Sequence, residues 1–265
     1  MSDLSFGMRS AEVGNWQRFL NTFVDSGELA ESCRLVEDED FDSLTRVATS
    51  AYQIREGVPV VPPKVGPGER AGVVGALTRK RGVSQGFIPF VAARNYTLVD
   101  YKKKPRSIGL IVIHTMESPG KPETAENVAA WFAGPNSPRA SAHYCLDVDS
   151  TVQLVRDRDV AWHAKQANHN GIGIEHAGYA KQTAQDWDSP YNRVMLMRSA
   201  KLVAQLCRKY NIPIERRTAD DLKSGLRGIC GHSDVTDAFD KGIGHWDPGP
   251  HWPWQKYLNL ILANG

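Results

Sequence analysis

Apolar side chains follow two rhythms along this chain of 265 residues. Near the start the spacing is helical. Val13, Trp16, Leu20 and Phe23 fall three or four apart behind Ser10, whose hydroxyl suits a helix N-cap. Phe41, Leu44, Val47/Ala48 and Ala51/Tyr52 predict a second helix ending at Gly57, and residues 72–78 a short third piece that closes a bundle. Between them, Pro59, Pro62, Pro63 and Pro67 forbid helix and favour an extended path over 58–68. The rhythm then changes. Residues 108–114 hold five large aliphatics (Ile108, Leu110, Ile111, Val112, Ile113) and stop in His114, the run of a strand covered on both faces.

From there strands and helices interleave. Ala125, Val128, Ala129 and Phe132 share one helical face, with Gly134-Pro135 as a C-cap signal. Residues 141–148 alternate like a strand and turn at Asp149-Ser150 into 151–155, a hairpin. Residues 171–175 read as another strand. Ser189-Pro190 caps a long helix carrying Leu196, Ala200, Val203, Cys207 and Tyr210. A short strand, 228–230, leads into Gly231-His232. A last helix begins at Pro253, buried through Trp254, Tyr257, Leu258 and Ile261. The expected fold is an α/β (α+β) domain, a central mixed β-sheet flanked by helices, preceded by a small all-α three-helix domain. The expected boundaries are 1–84 for the helical domain, 85–106 for a basic connector and 107–265 for the second domain.

Composition adds limits. Hydrophobic content of 41% and charged content of 23% are ordinary for a globular protein, and no apolar run is long enough to span a bilayer. The first residues lack a basic and then apolar leader pattern, so synthesis in a cytoplasm, a host's in the case of a phage protein, is expected. Cys33, Cys145, Cys207 and Cys230 are widely spaced, which argues for reduced thiols. The net charge of +2 is uneven: residues 1–57 carry 5 Lys/Arg against 11 Asp/Glu, and 64–106 carry 10 against 2. That basic collar holds no nucleic-acid motif, so nucleic acid is not an expected partner. Membrane insertion is not expected either, and the chain is expected to be a monomer.

All eight histidines lie within 114–251, which points to metal or acid–base chemistry in the second domain alone. The informative combination is His114 at a strand end, Gly231-His232-Ser233-Asp234 after another strand, and His245-Trp246-Asp247-Pro248-Gly249-Pro250. A catalytic zinc takes three protein ligands and keeps one position open, and two imidazoles with one carboxylate suit it. Proline and glycine after Asp247 set a turn that limits its wandering.

Two resemblances follow. Gly14-x-Trp16-Gln17-x-x-Leu20, Asp40-Phe41-Asp42-x-Leu44-Thr45 and Tyr52-Gln53-x-x-x-Gly57 resemble the three-helix peptidoglycan-binding module of wall hydrolases. Ile111-Val112-Ile113-His114-Thr115, Ser141-Ala142-His143-Tyr144, Ala161-Trp162-His163-Ala164, Ile172-Gly173-Ile174-Glu175, Gly231-His232-Ser233-Asp234 and Asp247-Pro248-Gly249-Pro250 resemble the type 2 zinc N-acetylmuramoyl-L-alanine amidases, which share a fold with the peptidoglycan recognition proteins. This second resemblance implies one Zn²⁺ held by His114, His232 and Asp247, and Glu175 as general base. It implies peptidoglycan as substrate, cut between N-acetylmuramic acid and L-alanine of the stem peptide. Many relatives have lysine two residues before the metal carboxylate; here His245 stands there, a second catalytic candidate for steadying the oxyanion. Trp162, His143, His163 and Asn170 are expected to line the substrate groove or to back the metal. Wall action as a phage endolysin is the leading setting. A non-catalytic recognition protein, a secreted effector and a recycling amidase are the alternatives.

Overall fold

The computed structural model describes residues 3–58, 60–61, 69–70, 72–100, 103–241 and 244–265. Most of the proline-rich path over 58–68, and Lys102 of the basic run, lie outside the described residues. The chain forms two compact units, residues 1–90 and 91–265.

In the first unit, α1 (Ala11–Asp25) starts at Ser10, whose hydroxyl accepts from the Val13 amide, and α2 (Ser43–Arg55) starts at Asp42, which caps Thr45. Strands β1 (Val60–Val61) and β2 (Glu69–Arg70) pair in parallel, and α3 (Ala76–Ser84) follows, later than the 72–78 piece expected from sequence. Trp16, Phe19, Phe23, Tyr52 and Phe87 form an aromatic core, and Gly82 leaves room for the Trp16 ring. The face of α2 differs from expectation. Leu44 is 37% and Val47 55% exposed, whereas Thr45, Thr49 and Gln53 are buried. Their polarity is satisfied internally: Thr49 accepts from the Trp16 indole, Thr45 from Gln17, and Gln53 bridges Gly72, Val73 and Thr78.

In the second unit, the residues set aside as connector join the fold. Val91 and Ala93 donate to Gln153 and Leu154, and β3 (Tyr96–Thr97) pairs antiparallel with β7 (Val160–Ala161). The central sheet runs β6-β5-β8-β4-β9: β4 (Leu110–Thr115), β5 (Tyr144–Leu146), β6 (Thr151–Gln153), β8 (Gly171–His176) and β9 (Gly228–Gly231). β5, β8, β4 and β9 are parallel, and only the edge strand β6 runs opposite, through the expected hairpin. Parallel strands are buried on both faces, which explains the uninterrupted aliphatics of β4.

Helices flank the sheet: α4 (Thr124–Ala133), the short α5 (Ala184–Trp187), α6 (Pro190–Tyr210), α7 (Ala219–Lys223), α8 (His232–Phe239) and α9 (Trp254–Leu262). Ser189 caps α6 as expected. Gly134 ends α4 with φ −73°, an extended conformation imposed by the following proline rather than a left-handed cap. Along α9 only Tyr257 and Ile261 are buried; Trp254 is half-buried under the Arg216 guanidinium, and Trp252 takes the core position before the helix. The four cysteines are buried and unpaired. No described helix is long and apolar enough to cross a membrane.

Candidate metal centre and cleft

Three neighbouring parallel strands deliver their carboxyl ends to one edge of the sheet, the usual place for a site in such sheets. His114 lies near the end of β4, Glu175 faces it in register on β8, and β9 passes straight into α8, whose first residue is His232. The third partner comes from the loop before α9. Asp247 sits there because the Ser233 amide donates to its carbonyl and Gly249, at φ +89°, approaches Ala180 so closely that any Cβ would lie 1.8 Å from that carbonyl oxygen.

The three side chains meet. His114 Nδ1 is 3.0 Å from Asp247 Oδ2 and His232 Nδ1 3.2 Å from Asp247 Oδ1. One nitrogen from each imidazole and one carboxylate oxygen lie within 4.8 Å of one another, all on buried residues. Burial opposes a charge on Asp247, but the bonds to His114 and His232 outweigh it and hold the carboxyl well below the usual range. Burial also lowers the proton affinity of His114, keeping its imidazole neutral. Two imidazoles beside an ionised carboxylate suit a divalent metal ion.

Glu175 Oε2 is covered from solvent and has no hydrogen-bond partner. Burial, helped by the charges of Asp247 and Glu117, raises its proton affinity well above the carboxyl norm. An unpaired buried carboxyl oxygen costs stability, and such groups concentrate where a reacting molecule completes them. Glu175, His114, His232 and Asp247 all line one cleft of about 780 Å³. His245 lines it too, 72% exposed, stacked on His232 with ring centroids 4.4 Å apart.

Of the remaining candidates, Trp162 and His163 line the cleft, the former anchored by its indole on Thr97. His143 and Asn170 are not among its lining residues. His143 is fully buried: its Nδ1 accepts from the Gly173 amide and its Nε2 lies 3.2 Å from the Asp159 carbonyl. Burial, with Arg106 beside it, pushes its proton affinity down to about 3. Asn127 and Asn168 are the asparagines that do line the cleft, and Asn168 Oδ1 accepts from the His163 and Ala164 amides.

Sequence reading also missed Arg106, part of a basic run. Its half-buried guanidinium donates to the carbonyls of Asp157, Asp159, Asn168, His169 and Gly171, tying down the segment that carries His163. Desolvation lowers its pKa to about 10. Glu117, which accepts from Thr115 and Ala180, and Trp131, exposed on α4, line the cleft without any motif to announce them.

A parallel-sheet edge presenting His, His and Asp over a cleft with a buried carboxyl could hold a metal ion for hydrolysis. The chain belongs to the N-acetylmuramoyl-L-alanine amidase family, whose sequence model matches residues 104–250. It is 29% identical over 175 residues to N-acetylmuramoyl-L-alanine amidase A of Achromobacter lyticus, covering 63% of this chain and 90% of that one. It is 26% identical over 183 residues to the 1,6-anhydro-N-acetylmuramyl-L-alanine amidase AmpD of Haemophilus influenzae, covering 61% and 87%. Among solved structures, the Staphylococcus aureus hydrolase AmiA in complex with its ligand shares the fold, with a TM-score of 0.52 at 14% identity over 78% of this chain and 94% of that one.

Proposed function

We propose that this protein hydrolyses the amide between the lactyl group of N-acetylmuramic acid and L-alanine in peptidoglycan, with one zinc ion held by His114, His232 and Asp247. The observation that carries the reading is the convergence of two buried imidazoles and a carboxylate beside an unpaired Glu175 oxygen. When bound, zinc lowers the pKa of water from 15.7 towards about 7 and polarises the scissile carbonyl. Glu175 Oε2 takes the proton from the attacking water, its affinity for that proton raised by burial, and passes it to the departing amide nitrogen. His245, exposed at the cleft wall and stacked on His232, donates a ring N–H to the developing oxyanion. Trp162 and Asn168 hold the groove wall. The helical unit 1–90 binds the wall and brings the cleft to polymeric substrate, as suits an endolysin lysing its host.

Digestion of purified sacculi tests the reaction. New free amino groups without new reducing sugar ends are expected, lost on chelation and restored by zinc. Reducing ends instead would overturn the amidase assignment. The Haemophilus relative supports a second reading, cleavage of soluble anhydromuropeptides. A rate on those fragments well above that on sacculi would favour it.

A further inference from the structure

Behind the candidate metal centre stands an imidazole that the reaction does not use. His163 Nε2 lies 3.3 Å from the carbonyl oxygen of Gly171, and its Nδ1 lies 3.1 Å from His114 Nε2. A ring nitrogen facing a carbonyl carries the proton, so Nε2 of His163 is the N–H and Nδ1 is the bare acceptor. Among the described residues, the partner at hand for that acceptor is an N–H on His114 Nε2. When zinc is bound in place of the contact between Nδ1 and Asp247, His114 then presents that other nitrogen, Nδ1, unprotonated to the ion beside Asp247.

The backbone is shaped around this contact. Residues 171, 173 and 175 share one face of β8, since alternate residues of a strand point the same way. A Cβ at 173 would lie 2.5 Å from His163 Cγ and 2.7 Å from its Nδ1, and one at 171 would lie 3.3 Å from its Cε1. The two glycines thus form a bed for the imidazole, and Glu175 is the next residue along the same face. Asn168 Oδ1 fixes the backbone amide of His163 itself, at 2.9 Å.

We propose that His163 is a positioning residue for the metal site: it accepts from His114 Nε2–H, selects the tautomer that offers Nδ1 as ligand, and depends on Gly173 for its place. The proposal rests on the zinc reading above. Without that acceptor, the proton of His114 is free to settle on Nδ1, where the Asp247 carboxylate attracts it and where a metal must displace it. Groups that orient a ligating histidine in this way change metal affinity by about 10–100-fold when removed.

The test measures zinc affinity of the full chain by competition with a chromophoric chelator, alongside the melting temperature of the metal-free protein. His163→Phe, which keeps the ring volume, is expected to bind zinc about 10–100-fold more weakly. His163→Asn, whose Oδ1 takes the place of Nδ1, is expected to recover most of that loss. Gly173→Ala, which displaces the ring with all ligands intact, is expected to weaken zinc binding as His163→Phe does. Proton NMR of the zinc-loaded wild type is expected to show a slowly exchanging His114 Nε2–H signal that His163→Phe loses. Wild-type affinity in His163→Phe would overturn the positioning role and leave the zinc reading standing. Absence of zinc binding by the wild type would overturn both. If His163→Phe does not fold, His163→Asn and Gly173→Ala decide: both binding as wild type supports the acceptor role for the first and overturns the glycine bed for the second.

Discussion

At the scale of single residues, the cleft is organised by contrasts between neighbours. Asp247 is held ionised by two imidazoles, while Glu175 Oε2 is left without a partner and its affinity for a proton is raised by burial. Two carboxyls pushed in opposite directions divide the labour of ligand and proton carrier. Glu175→Gln removes the carrier but no ligand, so the hydrolysis rate is expected to fall about 10²–10⁴-fold with zinc content unchanged. His245→Ala in parallel is expected to lose about 10²–10³-fold, the usual cost of one oxyanion donor. Rates on a soluble muropeptide with metal analysis of each variant check both. Full activity in Glu175→Gln would remove the base assignment.

At the scale of elements, the long periodic segments were legible: α1, α6, β4, the hairpin β5–β6 and β8 lie where apolar spacing and caps put them. What escaped were short pieces with too little period to read, β3, β7, α5 and α7. Polar burial was also hidden. Thr45, Thr49 and Gln53 look like a solvated helix face until their partners on α1 and the 72–78 segment are known. Arg106 failed for the same reason: in sequence it ends a run of cations, in space it organises five carbonyls. The motif histidines came from strand-end positions and the family resemblance, but which of them face the cleft depends on packing: His163 and Asn168 line it, whereas His143 and Asn170 do not. Arg106→Met takes the guanidinium from five carbonyls, of which those of Gly171 and Asp159 keep an imidazole nearby, and is expected to cost about 3 kcal/mol in urea unfolding. A cost under about 1 kcal/mol would mean that water replaces the guanidinium.

At the scale of the whole molecule, each unit has its own core, so the roles assigned to them separate cleanly. A chain lacking 1–90 is expected to bind sacculi more weakly while cleaving small muropeptides at the full-length rate; equal binding would remove the targeting role. The second unit carries buried histidines that make it sensitive to acid. Burial holds His143 and His176 neutral, their proton affinities pushed down to about 3. An unfolded chain protonates both near pH 6.5. Between about pH 6.5 and 3 the unfolded state therefore binds more protons, and stability falls with pH by up to about 1.4 kcal/mol per unit for each histidine. Urea unfolding from pH 7 to 4 checks the slope, and replacing His143 by Gln flattens it by one proton. Gly249 carries a different lesson. The aspartate two residues before it is aimed by a backbone-to-backbone fit against Ala180, a position that contributes nothing to the chemistry. A scan that ranks positions by functional groups will pass over both, although adding one methyl at 249 disarms the cleft as surely as erasing a ligand.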